Sequence, residues 1–279
     1  MVFKMKKFKI EKNSVQETLM IPLMGRVIAQ RKFPNLINDP TAEEIIKKID
    51  YDFSSQEKKM TSIFGVYGAL EVSQREYDLE WEIKDYLKSN PKASVVNLGC
   101  GLDDLFNRVN NGECRGFNID FEDVITARNK LLPPLENEKN IIHNINDTEW
   151  FSEIPHENGV IFVGLGLFYY FTFDEVKSLF TKMTEHFTTG VIAFDITNKR
   201  GLKLMLKTLV KDSAISDIDS YFHIKDVNEL NSWTNNFKRV SSKSYMNGYR
   251  KLDDINIIYK LLNKLSDSYV GMKIVKIEF

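Results

Sequence analysis

Ala93-Ser-Val-Val-Asn-Leu-Gly-Cys-Gly-Leu-Asp103 is the stretch from which the fold is read. Val95, Val96 and Leu98 form a short apolar run with a β-branched bias, the pattern of a strand buried in a parallel sheet. The run breaks at Gly99-Cys100-Gly101. Two glycines around one small residue let the backbone turn tightly and pass close to a ligand, because no Cβ intervenes. A helical pattern follows over 102–109, and its first N–H groups would face whatever lies over the glycines. A second strand, over 116–119, ends in Asp120, 19 residues after Gly101. An acid at that spacing, at the tip of the next strand, is placed to accept hydrogen bonds from a ribose diol.

The glycine pair alone is a weak signal; strand, glycine turn, helix, strand and terminal acid in this order are a strong one. A dinucleotide site carries the longer G-x-G-x-x-G/A pattern. Here the position three after Gly101 is Asp104, and a carboxylate there is expected to repel a pyrophosphate. The expectation is an adenosine cofactor without phosphates, S-adenosylmethionine, with NAD as the disfavoured alternative.

Downstream, strands and helices alternate. A helix over 123–132 stops at Pro133-Pro134, and strands are expected over 140–143, 160–163 and 191–196. Thr172-Phe-Asp-Glu175 is a capping box that opens a helix with Val176, Leu179, Phe180, Met183 and Phe187 on its buried side. Further helices are read over 226–235 and 251–265, and strands over 237–245 and 272–279. Lys199, Lys203, Lys207 and Lys211 recur at four-residue spacing as a solvated helical face. The alternation predicts an α/β fold, a mostly parallel sheet with helices on both faces.

Upstream, Asp39-Pro40 is a helix start, with Asp39 as cap and Pro40 at the first helical position. A second helix is read over 69–88, ended by Ser89-Asn90-Pro91. Residues 1–90 are too few and too helical for a sheet domain of their own, so they are expected to cap the cofactor domain of residues 91–279. The leader carries Lys4, Lys6, Lys7, Lys9 and Lys12 with no apolar segment of signal-peptide length behind them, and is expected to be a solvated arm.

Composition narrows the rest. The chain has 279 residues, 43% hydrophobic and 28% charged, which suits a globular protein. A net charge of −1 gives no bulk field for nucleic acid or a membrane. The longest uncharged apolar run, 159–171, is too short to span a bilayer. Cys100 and Cys114 make no disulfide framework, so a reducing cytoplasm is expected. His143, His156, His186 and His223 show no ligand spacing, and no metal is expected.

Several motifs occur together: Thr18-Leu-Met-Ile-Pro-Leu-Met-Gly-Arg26, Asn38-Asp-Pro-Thr-Ala42, Arg75 with Asp78, the glycine stretch, Asp120, Trp150 and Gly166-Leu-Phe-Tyr-Tyr170. Through them the chain resembles the leucine carboxyl methyltransferase family, in its bacterial branch similar to the tetracenomycin-type polyketide O-methyltransferases. The likeness runs from about Ser14 to Thr197. It implies a class I methyltransferase (Rossmann-like) fold, a seven-stranded sheet with its last strand antiparallel, a place that 272–279 suits. It also implies S-adenosylmethionine as cofactor. Arg75 would pair with the methionine carboxylate, and Gly99, Cys100 and Gly101 would pass beneath the cofactor. Asp120 would hold the ribose, while Asn144 and Ile145 would border the adenine. Leu165 stands where the family usually has a glutamate that helps bind the cofactor's amino group. Two further departures are Asp104-Leu105, where the family has Thr-Arg, and Glu122, where it has proline.

The implied activity is S-adenosylmethionine-dependent O-methylation of a small molecule. A carboxylate acceptor is already ionised at pH 7 and needs no base, whereas a phenol, with a pKa near 10, does. No histidine or glutamate base stands in the motif loops, so the expected acceptor is the carboxylate of a polyketide-like metabolite. Arg26, Lys32, Tyr169 and Tyr170 are the substrate-side candidates. The alternatives are a phenolic acceptor and a cofactor-binding protein of the same fold without catalysis, the latter motivated by Leu165. Nothing in the sequence fixes an oligomeric state.

Overall fold

The computed structural model describes residues 7–10, 14–209, 220–244 and 246–279. Lys4, Lys6, Lys12, Lys211 and Tyr245 lie outside the described residues, as does the side chain of Lys207. The chain begins with a short strand β1 (Phe8–Lys9), one helical turn α1 (Val15–Thr18) and α2 (Met20–Lys32). Pro22 sits in the first turn of α2, where its missing N–H is not needed. Next comes α3 (Pro40–Lys48), capped as its sequence predicts: the Asp39 carboxylate accepts from the Ala42 N–H at 2.9 Å. β2 (Ile49–Asp50) pairs in parallel with β1, and α4 (Ser54–Lys59) leads to α5 (Ile63–Ser89). At 27 residues α5 begins earlier than hydrophobic spacing suggests, because Ser62 caps it by accepting from the Gly65 N–H.

The rest alternates: β3 (Ser94–Leu98), α6 (Leu105–Val109), β4 (Arg115–Asp120), α7 (Glu122–Leu131), β5 (Glu138–Ile142), β6 (Val160–Gly164), α8 (Phe173–His186), β7 (Gly190–Ile196), α9 (Lys199–Leu209), β8 (Arg239–Ser244), α10 (Ile257–Leu265) and β9 (Lys273–Glu278). One seven-stranded sheet has the order β5-β4-β3-β6-β7-β9-β8. Neighbours from β5 through β7 pair in parallel, and β9 runs antiparallel to both β7 and β8. This is the α/β architecture expected, with 272–279 as the reversed strand.

Two downstream helices are shorter than read. Residues 226–235 hold only a 3-10 turn, Val227–Ser232, started by the Asp226 carboxylate accepting from the Asn228 N–H. The pattern over 251–265 becomes a helix only at Ile257, where Asn256 caps the Ile258 and Tyr259 N–H groups.

Alternate residues of the inner strands enter different cores. Val96, Leu98, Phe162 and Phe194 pack beneath Val176, Phe180 and Met183 of α8 and Phe187 just past its end. Val95, Ile161, Val163 and Ala193 face Leu70, Leu79 and Ile83 of α5, with Phe106 of α6. A third cluster joins Met20, Leu23 and Val27 of α2 to Ala42 and Ile45 of α3, and to Leu102 and Leu131. The N-terminal helices therefore rest on the segment just after the glycine turn. No helix among the described residues is long and apolar enough to cross a membrane.

Gly116 in β4 lies under the ring of Phe106, which is buried; a Cβ there would stand inside van der Waals contact with that ring. Gly116→Ala should therefore lose about 1–3 kcal/mol of stability. The expected reading is a lower urea midpoint with an unchanged slope.

Candidate active site

The backbone past β3 can turn only because Gly99 and Gly101 adopt left-handed conformations, with φ of +63° and +49°. The turn is stapled to β4. The Gly99 N–H donates to the Ile119 carbonyl at 2.9 Å, and the Gly101 N–H to Asp120 Oδ2 at 2.9 Å. Asp120 Oδ1 accepts from the Phe121 N–H at 2.8 Å. Burial raises the pKa of the Asp120 carboxyl, against the two backbone N–H bonds that lower it. Cys100 is buried, and burial pushes its thiol up out of the reactive range.

Behind the turn, two buried arginines take its carbonyls. Arg128 of α7 donates from Nη1 to the carbonyls of Gly101 (3.1 Å) and Asp103 (2.6 Å), and its Nη2 lies 3.3 Å from Glu138. Arg26 of α2 donates to the Leu102 carbonyl from both terminal nitrogens, at 3.3 and 3.2 Å. Its Nε lies 2.8 Å from Asp39, with Asp103 at 3.6 Å and Glu76 at 3.9 Å from Nη1. Arg108 ties Glu80 (2.6 Å), Asp103 (2.8 Å) and Asp104 into the same network. Burial alone would raise the Asp103 carboxyl, but Arg108 and then Arg26 outweigh it and hold it below the usual range.

Three expectations change here. Arg26 is 3% exposed and supports the loop, so its guanidinium does not reach a substrate. Asp104 is turned into the network by Arg108 instead of facing a ligand, so its charge gives no ground for excluding a pyrophosphate. The helix expected over 102–109 is reduced to Leu105–Val109, because the backbone of 101–103 is held by arginines instead of by helical bonds.

The second half of the site gathers around a residue that the sequence did not single out. Asp195, fully buried at the end of β7, accepts from Arg75 Nη1 at 2.9 Å and the Tyr169 hydroxyl at 3.0 Å on Oδ2, and from the Gly166 N–H at 2.7 Å on Oδ1. One carboxylate thus fixes α5, the loop after β6 and β7 together. The available signal was an acid inside the apolar run Val191-Ile-Ala-Phe-Asp195-Ile. Gly166, at φ +63°, has no Cβ; one would sit 2.9 Å from Arg75 Nη2. Leu167 lies over Gly99, its Cδ1 2.6 Å from where a Cβ would be. Tyr169 is fully buried and Tyr170 half exposed, while Leu165 packs partly buried on the α5 side.

Arg75, Gly99, Cys100, Gly101, Asp120, Leu165, Tyr169 and Tyr170 thus meet along the C-terminal edge of β3, β4, β6 and β7. Asn144 and Ile145 follow β5 on the same edge. Asn144 is exposed and accepts from the Asn146 N–H; the Ile145 carbonyl accepts from Trp150 Nε1 at 3.1 Å. Lys32 is not among them; it stands exposed at the end of α2. His143 faces Glu153 at 3.4 Å. No group of three or more histidine, cysteine or acidic residues among the described residues could hold a metal ion.

The family described as leucine carboxyl methyltransferase matches residues 20–184. The tetracenomycin polyketide synthesis O-methyltransferase TcmP of Streptomyces glaucescens is 28% identical over 187 residues, 67% of this chain and 67% of its own. The S-adenosyl-L-methionine-dependent methyltransferase dpfgK of Gibberella zeae is 26% identical over 282 residues, 94% of this chain and 92% of its own. A crystal structure from Thermobifida fusca YX, assigned as a methyltransferase, shares the fold with a TM-score of 0.61 at 11% identity, covering 95% of this chain and 94% of that one.

Asp120→Ala removes the acceptor of two backbone N–H groups at the cofactor edge. It should cost about 1.5–3 kcal/mol in S-adenosylhomocysteine affinity. Calorimetry, with circular dichroism to confirm a folded variant, is the measurement.

Proposed function

Because this chain belongs to the leucine carboxyl methyltransferase family and is an S-adenosylmethionine-dependent methyltransferase, we propose that its acceptor is the carboxylate of a small, polyketide-like acid. The name of the Streptomyces glaucescens relative supports the polyketide part of this reading.

The residues present fit the cofactor. Gly99 and Gly166 let Leu167 and Arg75 pack closer to the backbone than any Cβ would allow. Asp120 Oδ1 and Oδ2 each keep a lone pair after the Phe121 and Gly101 N–H bonds, so the carboxylate would hold the ribose hydroxyls. Arg75, held by Asp195, would receive the methionine carboxylate. Gly99, Cys100 and Gly101 would run beneath, Asn144 and Ile145 would flank the adenine, and Leu165 would lie beside the amino-acid end. When bound, S-adenosylmethionine supplies an electrophilic methyl group on a positively charged sulfur. The protein's part is to align the acceptor oxygen with that methyl and keep water away.

The observation that carries the carboxylate reading is the state of the two tyrosines. The Tyr169 hydroxyl donates a hydrogen bond to Asp195, and burial followed by the Asp195 charge raises its pKa well above the ordinary phenol value. Burial raises that of Tyr170 too. Both keep their protons at neutral pH, so neither accepts one from a phenol acceptor. A carboxylate needs no such help.

The product should therefore be a methyl ester. With methyl-labelled cofactor and a panel of aromatic polyketide acids, mild base should release the label as volatile methanol. Label that survives base in the main product would reject carboxyl methylation in favour of an ether.

A further inference from the structure

Tyr67, Glu71 and Arg75 recur at four-residue spacing on one face of α5. The direction of α5 fixes where they stand. Tyr86, near its end, lies by Gly159 just before β6, whereas Arg75 lies by Gly166 just after β6. The helix therefore runs against the strands, and each turn before Arg75 lies further beyond their C-terminal ends. Glu71 is one turn further out, about 6 Å along the axis. Its Oε1 accepts from Ser266 Oγ at 2.8 Å, in the segment that leads into β9. A carboxyl thus stands beside the guanidinium on the outer wall of the cofactor edge.

We propose that Glu71 is the anionic partner of the ammonium group at the amino-acid end of S-adenosylmethionine. This rests on the cofactor reading above. An amino acid whose carboxylate sits on Arg75 carries its ammonium on the adjacent carbon, so a receptor must stand next to Arg75. Asp195 is next to Arg75 but fully buried, its oxygens taken by Arg75, Tyr169 and Gly166. Leu165 brings no charge, and Tyr170 is neutral. Glu71 is partly exposed, and its carboxylate has acceptor capacity beyond the Ser266 bond.

The charges around Glu71 give the assignment a signature. It is faced by Tyr67 and Arg75 from its own helix, by Ser266 and Asp267 from the segment before β9, and by Tyr169 from the loop after β6. Burial raises its pKa to about 7, against the hydrogen bond from Ser266 and the charge of Arg75. An arriving ammonium favours the ionised form. Below pH 7 binding must therefore expel a proton, and above it must not.

The test is calorimetry of S-adenosylhomocysteine binding to the full chain in two buffers of different ionisation enthalpy, at pH 6.0 and pH 8.5. The wild type should release about one proton at the lower pH and almost none at the higher. Glu71→Gln should release none at pH 6.0 and bind at least about tenfold more weakly at pH 8.5. 5′-Methylthioadenosine, which lacks the amino-acid end, should bind both proteins equally. Unchanged S-adenosylhomocysteine affinity in Glu71→Gln, or equal loss for both ligands, overturns the assignment. Failure of the wild type to bind S-adenosylhomocysteine at all overturns the cofactor reading itself.

Discussion

The cofactor edge depends on backbone carbonyls held from behind by buried guanidinium groups. The carbonyls of Gly101, Leu102 and Asp103 would otherwise be orphaned in a low-dielectric interior, where an unsatisfied polar group is costly. Arg128 of α7 and Arg26 of α2 supply the donors. Burying two cations is itself expensive, and is tolerable here because each meets carboxylates: Glu138 for one, Asp39, Asp103 and Glu76 for the other. Many paired charges surround the turn for this reason, and Asp103 and Asp104 face away from the ligand edge.

The opposite wall follows a different logic. Asp195 collects an arginine, a phenol and a backbone N–H, so that α5, β7 and the loop after β6 share one anchor. In the proposed cofactor reading the glycine wall would seat the ribose and the Asp195 wall the methionine carboxylate. Gly166 belongs to the second wall because a side chain at its Cβ would press on the guanidinium.

The inner strands were legible because β6 and β7 are nearly continuous apolar runs between turn residues and β3 carries Val95, Val96 and Leu98, a local signal. Asp120 was legible because its spacing from the glycines is fixed by the strand-turn-helix-strand path. Asp195 was not, since a lone acid in an apolar strand gains meaning only when β7 lies in register beside β6, Gly164 opposite Phe194. Arg26 misled for the same reason: its partners Asp39, Glu76 and Asp103 are scattered along the sequence, and a cation next to a glycine reads equally as ligand contact or buried clamp. Helix ends slipped where side chains competed for the backbone, as at Asn256.

The bond between Arg26 and the Leu102 carbonyl also bears on biosynthesis. The two residues are 76 positions apart. At ribosomal rates of about 5–20 residues per second, roughly 4–15 seconds pass between the emergence of one and the other. Through that interval the apolar stripe of Met20, Leu23 and Val27 lacks its contacts with Leu102 and Leu131, and a guanidinium destined for burial has no carbonyl to meet. The earliest helices made thus wait for the glycine turn and α7 before their apolar stripe is covered.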